Sequence, residues 1–163
     1  MEKFIELVNE AKKAFNVADH TTYVTYHLVK DPKLISMILE NLYLSLYNAM
    51  EAILYYDRLY KRISPLPEGF GLRYTIFKNK CAPRYNITKQ EVNLILELKE
   101  LIEEHKKSSI ELVKKDKLVI LSHNYKKQTM HIDKIKKYLI QAKPFILKLN
   151  YILNKNFQEN DIR

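Results

Sequence analysis

Glycine and proline are scarce in this chain, with two and five copies in 163 residues. An all-β protein needs more of both for its turns, so a helical fold is expected. Both glycines and three of the prolines fall between Ser64 and Arg84, the one real interruption of the sequence. Cysteine occurs once, at Cys81, which excludes an internal disulfide and any multi-cysteine zinc site. Lys78 and Lys80 flank it without a local histidine to act as its base, so a buried thiol is expected there. The chain shows no basic start, apolar run and small-residue cleavage site of a secretory signal, which gives a cytoplasmic expectation. It contains no HExxH or ExxH pair, and Gly69 and Gly71 have no Walker or Rossmann context. Neither a metal nor a cofactor is therefore expected.

Acidic residues are the other deficit: 19 against 28 basic ones, for a net charge of +9. The excess is concentrated, at +6 over residues 57–89 and +8 over 106–143, while 90–105 carries −4. Two basic blocks suit an anionic partner. One patch is Lys106, Lys107, Lys114, Lys115, Lys117, Lys126 and Lys127, with Tyr125 able to stack on an unpaired base. A second is Arg58, Arg62, Arg73 and Arg84, interleaved with Tyr60, Tyr74 and Tyr85.

What is present in quantity is helical periodicity. The longest apolar segment runs from Asp31 to Ile63, roughly 48 Å of helix at about 1.5 Å per residue. Asp31 caps its start and Pro32 suits the first helical position. Ile35, Ile38, Leu42, Ser45, Ala49, Ala52, Tyr56, Leu59 and Ile63 form one row, and Leu39, Leu46, Met50, Ile53 and Tyr60 a second. Two rows predict neighbours on at least two sides. Ser45, Ala49 and Ala52 let another backbone come close. Glu40 and Glu51 within the span argue against a membrane helix.

Before it, Phe4, Val8, Ala11, Phe15 and Ala18 predict an amphipathic helix continuing to near His27, antiparallel to the central one. After it, residues 64–87 are expected to form a long connection in which Phe70, Tyr74 and Phe77 pin one short helical turn. This loop is a candidate contact for a protein partner. Thr88 and Glu91 match a capping box opening the next helix, along Ile95, Leu98, Ile102 and His105. Ser108 and Glu111 form a second possible box, so that helix is expected to bend or restart there. Lys117–Ser122 and Lys127–Met130 predict a β-hairpin turning at 123–126, and Ile132–Asn156 a last helix kinked at Pro144 with a frayed tail.

Three sets of residues stand out as candidates for chemistry. His105 lies on an apolar seam, and Asp19 and His20 close the first helical segment. Asn41, Ser45 and Asn48 share one stripe of the central helix: the plainer reading has Asn41 and Asn48 marking its solvated face, and the sharper one makes the stripe a polar core layer facing Asp19 or His20 and His105.

The segments ADHTTYVTYHLVKDPKL (18–34) and EEHKKSSIELVKKDKLVILSHNY (103–125) resemble a small archaeal family of helical proteins. A four-helix arrangement of this size also resembles HEPN domains, which are commonly RNases or partners of nucleotidyltransferases. HEPN RNases use an Arg and a His four to six residues apart, and no Arg here has a His at that distance. The resemblance thus implies bundle shape. The expected protein is an all-α, up-and-down four-helix bundle in one domain, with a small β-hairpin before the last helix. The expected function is binding of RNA or an RNP. The alternatives are a HEPN-like RNase using His105 or His20, and a protein-interaction module.

Overall fold

A computed structural model describes the backbone of all residues except 108–109, 115–116, 122–126 and 162–163, and the side chains of all except 107–129, 153 and 156–163. The chain forms an up-and-down four-helix bundle. Helix α1 (Glu2–His20) passes through a π-turn (Thr21–Thr25) into α2 (Tyr26–Val29), making one continuous rod. The π-turn is where Thr22 turns its hydroxyl back onto the Ala18 carbonyl, 2.7 Å away. Lys30, with φ of 53°, ends the rod.

Helix α3 (Lys33–Leu59) is the centre of the core, and Ile35, Ile38, Leu42, Leu46, Met50, Ile53 and Leu54 have no exposed surface. Asp31 Oδ1 accepts from the Lys33 amide at 3.0 Å, while Pro32, expected as the first helical residue, stands one position before the helix. Ser45 donates its hydroxyl to the Ala11 carbonyl at 2.7 Å, and the Phe4 and Tyr56 ring centroids stand 4.9 Å apart. These two contacts run in opposite sequence directions and fix α1 antiparallel to α3. Ala11, Ser45, Ala49 and Ala52 are all fully buried, which is the close approach that their small side chains permit.

The central helix is shorter than its apolar pattern. It stops at Leu59, because Lys61 takes a left-handed conformation (φ 55°) and the Lys61 and Arg62 amides bond back to the Arg58 and Asp57 carbonyls. Leu59 and Tyr60, expected on the buried rows, are consequently about half exposed.

The 64–87 segment is more regular than an open connection. It holds α4 (Phe70–Ile76), a π-turn (Phe77–Cys81) and a 3-10 turn (Ala82–Tyr85). Phe70 stacks between Tyr47 and Tyr74, and Phe77 packs 5.8 Å from Phe145. Helix α5 (Lys89–Lys107) opens with the expected capping box: Glu91 accepts from the Thr88 amide at 2.7 Å, and Thr88 Oγ1 from the Glu91 amide at 3.2 Å.

Beyond Lys107 the helix does not restart. Ile110–Lys114 forms strand β1, which pairs antiparallel with β2 (Lys117–Leu121), which pairs in turn with β3 (Lys127–His131). The expected hairpin is therefore β2–β3 with an additional strand on its edge. The run Ile110, Leu112, Val113 has the β-branched and apolar content that a ladder favours, and the register sets Leu112 opposite Val119 and Val113 opposite Leu118. The Ser108 cap and the 123–126 turn lie outside the described residues. Helix α6 (Ile132–Asp161) runs through Pro144 and five residues past its expected end, burying Ile135, Leu139, Ala142, Ile146, Leu149 and Ile152. Among the described residues, no helix is long and apolar enough to cross a membrane.

Candidate anion-binding cleft

Where α3 ends, the chain turns sharply through Lys61 and returns in the 3-10 turn, so Asp57, Arg62, Arg84 and Tyr85 meet at one corner. Asp57 has no exposed surface. Its Oδ2 accepts from Arg84 at 2.5 Å, and its Oδ1 from Arg62 at 3.4 Å and from the Tyr85 hydroxyl. Tyr85 in turn accepts from Arg62 at 2.9 Å. A buried carboxylate stays only where partners compensate for lost water, and here they do so from both sides.

The same charge sets its neighbours' ionisation. Burial first, then the hydrogen bond to Asp57 and its charge, push the Tyr85 hydroxyl up, so Tyr85 stays a neutral donor. Burial first, then the hydrogen bond and charge of Asp57, also push the Cys81 thiol up. Cys81 is fully buried, as expected. Arg62 is held further by aromatic faces: its guanidinium carbon lies 5.6 Å from the Tyr56 ring centre and 5.2 Å from that of Tyr60.

Above this corner opens a cleft of about 590 Å³. Its cations are Arg62, Arg84, Lys148 and Lys155, and its aromatic walls are Tyr56, Tyr85 and Tyr151, with Asn86 and Ile152 completing it. Helix α6 supplies the far wall, because positions 148, 151, 152 and 155 share one helical stripe. Lys148 is fixed by Glu91, with Nζ 2.8 Å from Oε2 and 3.0 Å from Oε1, and by the Asn86 carbonyl at 2.7 Å. Lys155 is exposed, and Tyr151 keeps 70% of its surface in water.

The basic residues singled out by sequence are distributed unevenly. Arg62 and Arg84 enter the cleft. Arg58 is half-buried and donates to the Ile63 carbonyl at 3.4 Å. Arg73 points inward, pairing with the buried Glu51 at 2.5 Å and donating to the Pro67 carbonyl at 2.7 Å, which staples α4 to α3. Lys106 is exposed. For Lys107, Lys114, Lys117 and Lys127 the backbone alone is described, and Lys115, Tyr125 and Lys126 lie outside the described residues. Lys148, Lys155, Tyr151 and Asn86 are cleft residues that sequence reasoning missed, and of these the two lysines carry charge. Their spacing of seven, with Tyr151 between them, was the available signal.

The candidate chemical residues differ in burial. Ser45 and Asn48 are buried, whereas Asn41 is half-buried and donates to its own helix at the Met37 carbonyl. Asp19 is half-buried and His20 exposed. The register that sets Ser45 opposite Ala11 leaves both of them near the start of α3. His105 is half-buried close to the end of α5. Among the described residues, no three of His, Cys, Asp and Glu are grouped to hold a metal ion.

Fold and cleft together define the class: a helical bundle carrying a basic, tyrosine-lined cleft between the end of its central helix and its last helix. Compared with protein-family models the chain matches none, and compared with curated proteins it also matches none.

Proposed function

We propose that this protein binds RNA, as a single strand or within an RNP, and that the cleft between α3, the 3-10 turn and α6 is its principal contact. The observation that supports this is the joining of Arg62 and Arg84 with Lys148, Lys155 and three tyrosines in one concavity, although these residues are far apart in sequence. Guanidinium and ammonium groups neutralise phosphates, and tyrosine faces stack on unpaired bases. The arginines are held in place before a ligand arrives, which lowers the ordering cost of binding. The basic block around 106–127 extends the positive charge of the chain and offers a second contact for a longer strand.

The test is titration of a fluorescent single-stranded RNA across ionic strength. Two to four phosphate contacts correspond to a slope of log affinity against log salt of about −1.5 to −3. Affinity that does not change with salt would overturn the proposal.

A further inference from the structure

Resting on that reading, we infer that the cleft receives a nucleotide carrying a terminal phosphomonoester, either at the end of an RNA strand or free, rather than an internal stretch of strand or a duplex. Two observations carry this.

The first is charge. Among the described residues, the cleft presents four cations, Arg62, Arg84, Lys148 and Lys155, and two carboxylates are paired into them, Asp57 and Glu91. Two positive charges remain in excess. Internal phosphodiesters bring one negative charge each, spread along the strand, whereas a terminal phosphate concentrates about 1.5 to 2 on a single group at neutral pH. The terminal group therefore matches the excess that the cleft offers.

The second is shape. A volume of about 590 Å³ lies in the range of pockets that enclose one small molecule, about 300–1,000 Å³. A double helix cannot enter it. One nucleotide can, with phosphate toward Arg84 and Lys155 and base against Tyr151.

The experiment compares five probes on the whole chain: one ten-nucleotide RNA with a 5′-phosphate, a 3′-phosphate or hydroxyl ends, adenosine monophosphate, and inorganic phosphate. Lys155→Ala and Tyr151→Ala are the variants, because both side chains are exposed and neither supports the core. A phosphorylated end is expected to bind about tenfold more tightly than hydroxyl ends, and Lys155→Ala to erase that preference. Tyr151→Ala should weaken adenosine monophosphate by about tenfold and leave inorganic phosphate unchanged. Equal affinity for phosphorylated and hydroxyl-ended RNA, with salt-dependent binding intact, overturns this inference and leaves RNA binding standing. Adenosine monophosphate binding without any RNA binding supports the inference with the free nucleotide as its source, and overturns the RNA reading. Inorganic phosphate competing as well as adenosine monophosphate overturns the nucleotide.

Discussion

The Arg84 guanidinium sits 2.5 Å from Oδ2 of Asp57, a carboxylate with no surface in water. That one contact ties the 3-10 turn to the end of the central helix, and it aims a cation at the cleft from a fixed base. Removing Arg84 strands the carboxylate, since Arg62 at 3.4 Å and the Tyr85 hydroxyl compensate only in part. Arg84→Ala should therefore lower unfolding free energy in urea by about 2–3 kcal/mol, somewhat under the cost of breaking a fully buried pair because Arg84 itself is 36% exposed. Arg84→Lys should recover less than half of the loss, because an ammonium cannot reproduce the planar fork. A loss under about 0.5 kcal/mol would show that water replaces the guanidinium there.

The helix–helix contact at Ser45 and Ala11 makes a different prediction. Its two backbones are near enough for a side-chain oxygen to reach a carbonyl at 2.7 Å. Ser45→Ala removes one buried hydrogen bond and should cost about 1 kcal/mol, whereas Ser45→Leu must push α1 away and should cost about 2–3 kcal/mol or more. Chemical denaturation of the two variants checks the ordering. If Ser45→Leu is tolerated as well as Ser45→Ala, the close approach does not exist.

Glu91 serves two neighbours at once, closing the capping box with Thr88 and holding Lys148 across from α6. Thr88→Ala should cost about 1 kcal/mol as a lost cap. Because Thr88 and Lys148 share this carboxylate, the double variant Thr88→Ala, Lys148→Ala should deviate from additivity by about 0.5 kcal/mol or more. A double-mutant cycle that closes to zero would mean that Glu91 is held in place by its surroundings alone.

Much of this fold was visible in the chain, and the reasons for the rest are specific. The rows along α1, α3 and α6 announced their buried faces, because a helix facing a core must repeat every three or four residues. The end of α3 was invisible, since nothing in Leu59–Ile63 forbids more helix and the stop depends on Lys61 adopting a conformation rare for a residue with a side chain. Strand β1 followed a Ser-x-x-Glu pattern that also opens helices, and its pairing with β2 is a tertiary fact. Asp57 was hidden because its partners lie 5, 27 and 28 residues away. Arg62 and Arg84 stand out in the sequence by their charge. That they meet Lys148 and Lys155 follows from α6 folding back along the bundle.

High pH should be more damaging than the basic composition suggests. Cys81, Tyr85 and Tyr138 all ionise later in the folded chain than their ordinary values of 9.0 and 10.0, and burial, the largest cause at each, pushes Tyr43 up to about 12. For each group the unfolded chain loses its proton first. Their contribution to stability is thus complete below about pH 9 and is lost as pH rises through the interval between unfolded and folded values. Melting temperature should fall from about pH 9 upward, and Cys81→Ala should flatten the earliest part of that fall, just above the ordinary thiol value of 9.0. A melting temperature constant to pH 11 would contradict the burial of these groups.

Arg73 provides the sharpest separation between a structural and a binding role. Its sequence neighbourhood grouped it with Arg58, Arg62 and Arg84 as a nucleic-acid contact, yet its Nη1 lies 2.5 Å from Glu51 and its Nε bonds the Pro67 carbonyl. Glu51 is 4% exposed, so losing its partner leaves a charge in the core beside Tyr47, whose hydroxyl burial and Glu51 already push up. Arg73→Ala should cost about 2–3 kcal/mol and quicken amide exchange across Phe70–Ile76, because the staple holding α4 to α3 is gone. Its affinity for single-stranded RNA should change by less than about twofold. Lys155→Ala should do the reverse, leaving the urea midpoint in place while weakening RNA about fivefold or more. If Arg73→Ala abolished binding at unchanged stability, the RNA contact would belong to α4 and not to the cleft.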